Sequence, residues 1–363
     1  TLLRPHAASR AARFFVEKFP GKSLYAVKAN PSPALLEILW DAGITHYDVA
    51  SLGEVRLVHK FLPEAKLCFM HPVKSERAIA QAYHNHGVKT FSLDSQDELN
   101  KIVRATSKDG ELATDLELCV RIRVSSEHAK LSLAAKFGAE PSEVADLLVA
   151  TRQVADCLGI AFHVGSQAMT PKAYAEAMEK VRAAMVEASV TVDIVDVGGG
   201  FPSVYPGMEP PPLEAYFETI HRTFEDLPVS YSSELWCEPG RALCAEYASL
   251  LVKVEKRRGN ELYINDGSYG ALFDAVSKYN DKQVLPYLKS LSIEEESLSP
   301  GRYQGKFTVR FLPNRIRSLY ARQHGDRNSV PLQHRRHIDA EAPRLDFDGG
   351  FNAPSFDRDL EIH

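Results

Sequence analysis

The sequence predicts an α/β protein, a (β/α)8 TIM barrel followed by a mainly β domain, on three observations. Eight short apolar runs, at residues 23–27, 46–49, 66–70, 88–92, 116–122, 158–163, 192–197 and 233–237, follow one another from residue 22 to about 240. Between them lie amphipathic segments at 33–42, 52–60, 75–86, 95–104, 141–154, 171–188 and 212–226, each long enough to be a crossover helix. Eight strands alternating with helices are the count of a closed parallel barrel. Third, the alternative, a doubly wound open sheet, would carry a glycine-rich turn after its first strand, and Tyr25-Ala26-Val27-Lys28-Ala29-Asn30-Pro31 contains no glycine.

After residue 245 the pattern changes. Tyr247 to Val254 and Glu261 to Ile264 read as strands with no helix pattern following, so the expected division is a barrel over 1–245 and a mainly β domain over 246–363. Within the latter, 312–363 is atypical: dense in Arg and His (Arg315, Arg317, Arg322, Arg327, Arg335, Arg336) and without periodicity.

A length of 363 residues fits two domains, or a barrel with an appendage. With 44% hydrophobic and 25% charged residues the chain can bury a core. Lys plus Arg number 43 against 48 Asp plus Glu, a net charge of -5, which is the wrong sign for a protein that neutralises phosphates along a nucleic acid. The five cysteines are an odd number, and Cys68, Cys119, Cys157 and Cys237 lie in or beside apolar runs, as reduced core thiols do. No apolar stretch approaches the roughly 18 residues of a membrane span. A cytoplasmic protein without membrane or nucleic-acid partners is expected, and the lack of an initial Met is consistent with trimming.

In such a barrel chemistry gathers where the strands end. The eight ends fall at Lys28, Asp48, His71, Asp94, Arg121, His163, Gly198 to Gly200, and Glu238. Singly, each has a bland reading as a solvated or structural residue; together they converge. Gly198, Gly199 and Gly200 remove three side chains in succession, so backbone N–H groups can close on an anion, more than a tight turn needs. Arg241, in Glu238-Pro239-Gly240-Arg241, adds a cation beside a glycine. A dinucleotide fingerprint fits poorly, because its third glycine would fall on Ser203. Lys28, partly desolvated, would have a lowered pKa that favours an imine with an aldehyde. His163 is followed by small residues that leave room for a flat ring, with Ser166 able to donate to a phosphate. Its alternative is a core histidine bonded to backbone. Glu238, after an apolar strand, needs a cationic or N–H partner, which a protonated pyridine nitrogen would be. A lysine imine, a phosphate cradle, a ring-stacking His and a carboxylate for a ring nitrogen describe a site for pyridoxal 5′-phosphate. No His spacing typical of a metal site occurs; His84-Asn85-His86 reads as an exposed helix end.

With these residues the sequence resembles the alanine-racemase-fold pyridoxal-phosphate decarboxylases, the group of ornithine, lysine, arginine and diaminopimelate decarboxylases. The matching stretches run in family order from residue 22 to about 275: Tyr25-Ala-Val-Lys28-Ala-Asn30, Tyr47-Asp48-Val-Ala-Ser51, His163-Val-Gly-Ser166, Gly198-Gly-Gly200 with Phe201-Pro202, Glu238-Pro-Gly-Arg241 and Asn265-Asp266-Gly267-x-Tyr269-Gly270. The resemblance implies that Lys28 carries the cofactor as an imine, with Asp48 supporting the network on the cofactor side. It implies that His163 stacks on the ring face opposite the substrate, and that Ser166, Gly198, Gly199, Gly200, Gly240 and Arg241 hold the phosphate. Glu238 then pairs with the pyridinium, Arg121 lies near the Lys28 linkage and His163, and Asp266 receives the distal amine of the substrate across a homodimer interface. Lys136-Phe137-Gly138 also matches, with a structural or a catalytic role.

The implied reaction is decarboxylation of a small basic amino acid to a diamine, in polyamine biosynthesis. Asp48-Val-Ala-Ser51 and the terminal-ammonium chemistry of Asp266 favour L-ornithine or L-lysine over diaminopimelate. The family's Gly-Pro-Thr-Cys-Asp-Ser segment, whose Cys reaches the partner's site, is replaced here by Leu312-Pro313-Asn314-Arg315, no cysteine follows Cys244, and Tyr320 does not align with the family's later Gly-Ala-Tyr. A catalytically impaired relative acting by partner binding, a diaminopimelate decarboxylase and a racemase therefore stay open as alternatives.

Overall fold

In the computed structural model the described residues are 1–124, 128–131, 137–205, 209–251, 253–258 and 261–265. Eight parallel strands close into a barrel in chain order: β1 (Lys22–Ala26), β2 (His46–Val49), β3 (Lys66–Phe69), β4 (Thr90–Leu93), β5 (Glu117–Arg121), β6 (Cys157–Ala161), β7 (Ile194–Asp196) and β8 (Glu234–Cys237). Seven helices return the chain between them: α1 (Pro33–Asp41), α2 (Leu52–Phe61), α3 (Glu76–His86), α4 (Gln96–Thr106), α5 (Pro141–Arg152), α6 (Lys172–Ala188) and α7 (Leu213–Glu225). This is the predicted (β/α)8 fold. The strands are buried on both faces, which is why they appear in the sequence as continuous apolar runs rather than alternating ones.

The helix starts have local causes. Ser51, Ser75 and Ser95 each accept the backbone N–H three residues on, capping α2, α3 and α4, while proline opens α1 and α5. Gly87, left-handed at φ 67°, ends α3.

Sequence reading missed a leading helix, Pro5–Lys18, because it precedes the first strand of the repeat. Its Phe15 meets Phe201 edge-on at 5.3 Å and Phe217 of α7 at 5.1 Å, and Phe201 stacks on Tyr174 of α6 at 5.3 Å. The expected strand from Tyr247 to Val254 is corrected. Among the described residues there, Ala248–Ser249 forms a strand paired antiparallel with Leu2–Leu3, and the next strand starts at Val254. An apolar run does not reveal that its pairing partner is only two residues long.

The first compact unit runs from Thr1 to Leu250. The second, beginning at Leu251, contains the antiparallel pair Val254–Arg258 and Glu261–Ile264. The expectations for 312–363 fall outside the described residues. Among the described residues no helix is long and apolar enough to cross a membrane.

The amino-terminal end of the barrel is closed by charge and ring packing. Lys22 Nζ bonds both oxygens of Glu234 at 2.7 Å, and Lys66 Nζ pairs with Glu117 at 2.8 Å while lying 5.2 Å from the Trp236 ring. Trp236 Nε1 donates to Glu234, and His46 meets Trp236 edge-on at 6.0 Å. Burial, then Lys66 and Lys22, push the His46 imidazole down to about 4, opposed by Glu234 and Glu117. A lowered native pKa means that the unfolded chain binds more protons between about pH 6.5 and pH 4, so stability falls as pH drops through that window. Replacing His46→Gln is expected to shrink the loss of melting temperature between pH 6.5 and pH 4; an equal loss in both proteins contradicts this.

Candidate active site

The carboxyl ends of the strands gather the polar residues. Lys28 sits in a single turn of 3-10 helix, Val27–Ala29, directly after β1. Its Nζ lies 3.2 Å from Asp48 Oδ2 of β2, and the lysine side chain is 54% exposed where the aspartate is 1% exposed. The expectation of a lowered lysine pKa is overturned: the charge of Asp48 is the largest influence, Glu238 adds to it, and together they raise the pKa against burial and Arg121. The free amine therefore rests as an ammonium. Ala26 N–H donates to Pro239 O at 3.2 Å, and a Cβ on Gly240 would lie 3.0 Å from that of Ala29, so Gly240 lets the loop after β8 pack against the turn carrying Lys28.

Three carboxylates share the floor of this mouth. Glu238 is buried after β8; Asp196, which closes β7, is fully buried and accepts the Gly198 N–H on Oδ1 at 2.8 Å. Asp196 Oδ2 and Asp48 Oδ1 are buried without a hydrogen bond among the described residues. Burial first, then Asp196 and Asp48, push Glu238 well above the usual range, opposed by Lys28 and Arg121; burial also raises Asp196 to about 6, with Asp48 adding to it and the Gly198 N–H, a hydrogen bond with Glu238 and Arg121 opposing. Glu238 therefore holds a proton until a cationic or N–H partner arrives. Sequence reading missed Asp196, although a carboxylate directly before three glycines is an odd component for an anion cradle and was the available signal. It also missed Glu54 in the first turn of α2. Glu54 accepts the Ala50 N–H at 2.6 Å and is raised to about 7 by burial, with Asp48 adding to the shift. Its Ser-x-x-Glu spacing resembles an ordinary helix cap.

Arg121, at the end of β5, lies 5.4 Å over the Phe137 ring, which His71 meets edge-on at 5.1 Å. The loop carrying Phe137 is tied down by Asp94, whose Oδ2 accepts the Gly138 N–H at 2.9 Å. Lys74, buried against Glu98 at 3.0 Å, donates to His71 O at 2.9 Å. The strand-end residues His71 and Asp94 thus shape the platform beside Arg121.

His163 Nδ1 accepts the Gly165 N–H at 3.0 Å, which places the ring proton of the neutral form on Nε2. Burial, then Arg121 and Lys28, hold its pKa well below normal, so the imidazole is uncharged. A Cβ on Gly199 would lie 3.0 Å from His163 Nε2 and 2.8 Å from Glu238 O; one on Gly198 would lie 2.1 Å from Phe162 O. The three glycines therefore serve close approach first. The anion-cradle reading is corrected at Gly198, whose N–H is committed to Asp196. The amides of Gly199 and Gly200 make no hydrogen bond among the described residues, and Tyr174 Oη fixes the loop by donating to Gly199 O at 3.0 Å. Arg241 Nη2 donates to Ser166 Oγ at 3.3 Å and Nη1 to Tyr205 Oη at 2.8 Å.

Lys28, Asp48, Arg121, His163, Ser166, Gly198, Gly199, Gly200, Glu238, Gly240 and Arg241 thus all lie at one end of the barrel, whereas Asp266 and Lys136 fall outside the described residues. Pyridoxal phosphate fits this donor set. An amine for its aldehyde, a protonated carboxyl for its ring nitrogen, and a guanidinium, a hydroxyl and unused amides for its phosphate are all present. Among the described residues no cluster of His, Cys, Asp and Glu is placed to hold a metal ion.

Comparison with known proteins agrees with this geometry. The family model described as pyridoxal-dependent decarboxylase, pyridoxal binding domain, matches residues 6–245. The lysine/ornithine decarboxylase of Selenomonas ruminantium is 33% identical over 255 residues, covering 68% of this chain and 62% of that protein. The ornithine decarboxylase of Panagrellus redivivus is 33% identical over 281 residues, covering 69% and 62%. This chain thus spans less than two thirds of the length of these relatives. Among solved structures, lysine decarboxylase from Selenomonas ruminantium aligns with a TM-score of 0.66 at 30% identity, over 76% of this chain and 72% of that one. The Paramecium bursaria Chlorella virus arginine decarboxylase bound to agmatine aligns with a TM-score of 0.65 at 27% identity, over 76% and 73%. Its barrel, its strand-end residues and these matches together place the chain in the pyridoxal-dependent decarboxylase family, with the barrel as its pyridoxal-binding domain.

Proposed function

We propose that the protein decarboxylates a basic amino acid, L-ornithine or L-lysine, to the diamine and CO2, a polyamine-forming reaction. The observation that carries the reading is the Lys28–Asp48 pair at 3.2 Å where β1 and β2 end, β1 being paired with β8, the strand that ends at the buried Glu238. Pyridoxal 5′-phosphate, when bound, supplies the electron sink that lets CO2 leave an amino acid's α-carbon, where a proton takes its place.

The chain's own groups have separable tasks. Lys28 Nζ is the attachment point for the aldehyde and must first give up its proton, for which Asp48 Oδ2 is the adjacent acceptor. His163, held neutral, offers a flat uncharged face for the ring, so no second cation competes with the ring nitrogen's proton. Glu238, which holds a proton while the site is empty, would pair with that nitrogen, a cationic ring favouring the carboxylate as Lys28 and Arg121 already do. Arg241, Ser166 and the amides of Gly199 and Gly200 bind the phosphate, with Gly198 and Gly240 permitting the approach. Arg121 offsets the carboxylates beside Lys28 and His163. Asp266 is assigned to the substrate's distal ammonium, which favours ornithine and lysine, in a cytoplasmic homodimer with its sites at the interface.

A second reading is a barrel that keeps the cofactor and acts by partner binding. It is favoured by Leu312-Pro313-Asn314-Arg315, which stands where the family resemblance implies a Cys-containing segment. Measuring CO2 release from ornithine, lysine, arginine and meso-diaminopimelate separates the two: turnover of ornithine or lysine is expected, and no turnover of any substrate leaves only the second. Chiral analysis of recovered amino acid tests for racemisation. Replacing Lys28→Ala is expected to abolish both turnover and the borohydride-fixed adduct on the Lys28 peptide. Glu238→Gln should lower kcat by about 10²- to 10³-fold. Asp48→Asn removes the main support of the Lys28 ammonium, so its amine should become acylable at lower pH in the cofactor-free protein, as read by mass spectrometry.

A further inference from the structure

Asp196 has no task in the reaction proposed above, yet it is fully buried at the end of β7, between Ala161 of β6 and Trp236 of β8. A single peptide unit fixes it beside Glu238. Gly198 N–H donates to Asp196 Oδ1, and Gly198 O accepts the Glu238 N–H, each at 2.8 Å. Gly198 is closely held in turn: it is left-handed at φ 65°, and a Cβ on it would lie 2.1 Å from Phe162 O. The side chain of Asp196 and the backbone of Glu238 are thus bound to the same small, crowded residue.

The two carboxyls come within hydrogen-bond reach of each other. Ionised carboxylates only accept, so a hydrogen bond between two of them requires a proton on one. Among the described residues Asp196 Oδ2 is buried and receives no N–H, alcohol or phenol. The other groups that act on Asp196 are the Asp48 carboxylate, the Arg121 guanidinium and the thiols of Cys68, Cys119 and Cys237, which burial keeps uncharged and which donate weakly. Besides Asp196, Glu238 meets Asp48, Lys28, Arg121 and the Cys237 thiol. Two buried carboxyls this close ionise together only at a high cost, so the pair keeps one proton between them.

We infer that Asp196 is a positioning residue for the cofactor's ring nitrogen: sharing one proton with Glu238, it holds that carboxyl in place and keeps in the site the proton that the nitrogen meets. This rests on the cofactor site proposed above. The experiment compares pyridoxal 5′-phosphate with 1-deazapyridoxal 5′-phosphate, which has the same aldehyde and phosphate but a C–H in place of the ring nitrogen. Both are titrated at pH 7.5 into cofactor-free full-length protein, read by absorbance of the lysine-linked chromophore and by tryptophan fluorescence. Asp196→Asn keeps the shape and the acceptor for Gly198 but supplies an N–H to Glu238, so the carboxylate no longer needs a proton. It should reduce the preference for pyridoxal 5′-phosphate over the deaza compound about tenfold, the value of one hydrogen bond to a charged group. In the infrared spectrum of the cofactor-free protein, the protonated-carboxyl band that Glu238→Gln removes should also vanish in Asp196→Asn. Asp196→Ser, which leaves a hydroxyl to accept from Gly198, takes its place if the amide prevents folding, with the same expected loss of preference. Equal weakening of both ligands, as a merely structural role would give, or a Glu238 band that persists in the variant, overturns the assignment. If the unsubstituted protein binds neither ligand, the cofactor site itself fails, and that outcome is distinct from a well-loaded protein indifferent to the substitution.

Discussion

The active end of this barrel is organised around an excess of buried negative charge. Asp48, Asp196 and Glu238 come from the ends of three different strands, and among the described residues Lys28 and Arg121 offset them from nearby. Buried carboxylates without matching cations are costly, and the site manages this in two ways. Lys28 is held as an ammonium, and a proton is retained on Glu238. Both devices suit a ligand that brings an aromatic nitrogen to share the proton of Glu238 and an aldehyde to meet the amine of Lys28.

The glycine loop after β7 shows how the scaffold serves that arrangement. Each glycine stands where a Cβ would strike a neighbouring carbonyl or the His163 ring, so the loop lies tight against β6 and β8. The loop continues into Phe201, which packs with Phe15, Phe217 and Tyr174. An otherwise unremarkable leading helix therefore supports a segment that contacts the site, through rings rather than polar contacts. This dependence links core packing to the position of His163 and Glu238.

Much of this was legible in the sequence because parallel strands buried on both faces are continuous apolar runs, and their ends are marked by polar residues or glycine. The strand and helix positions in the barrel follow from that pattern alone. What escaped reading had specific physical reasons. Asp196 was hidden inside a motif read for its glycines, and Glu54 behind a helix-capping pattern. The charge state of Lys28 was misjudged because desolvation can be read from neighbouring apolar residues, whereas a carboxylate 20 residues away in the chain acts only once β1 and β2 pair. Gly198 looked like an anion-binding amide until the structure showed its N–H already bonded to Asp196.

The opposite end of the barrel, with Lys22, Glu234, Lys66, Glu117 and Trp236 locked together, has a consequence for how such a protein can change over time. Structural integrity is anchored at one rim while selectivity is written at the other. Descendants can therefore explore new ligands by altering the loops above the strands without loosening the foundation that keeps those strands in register.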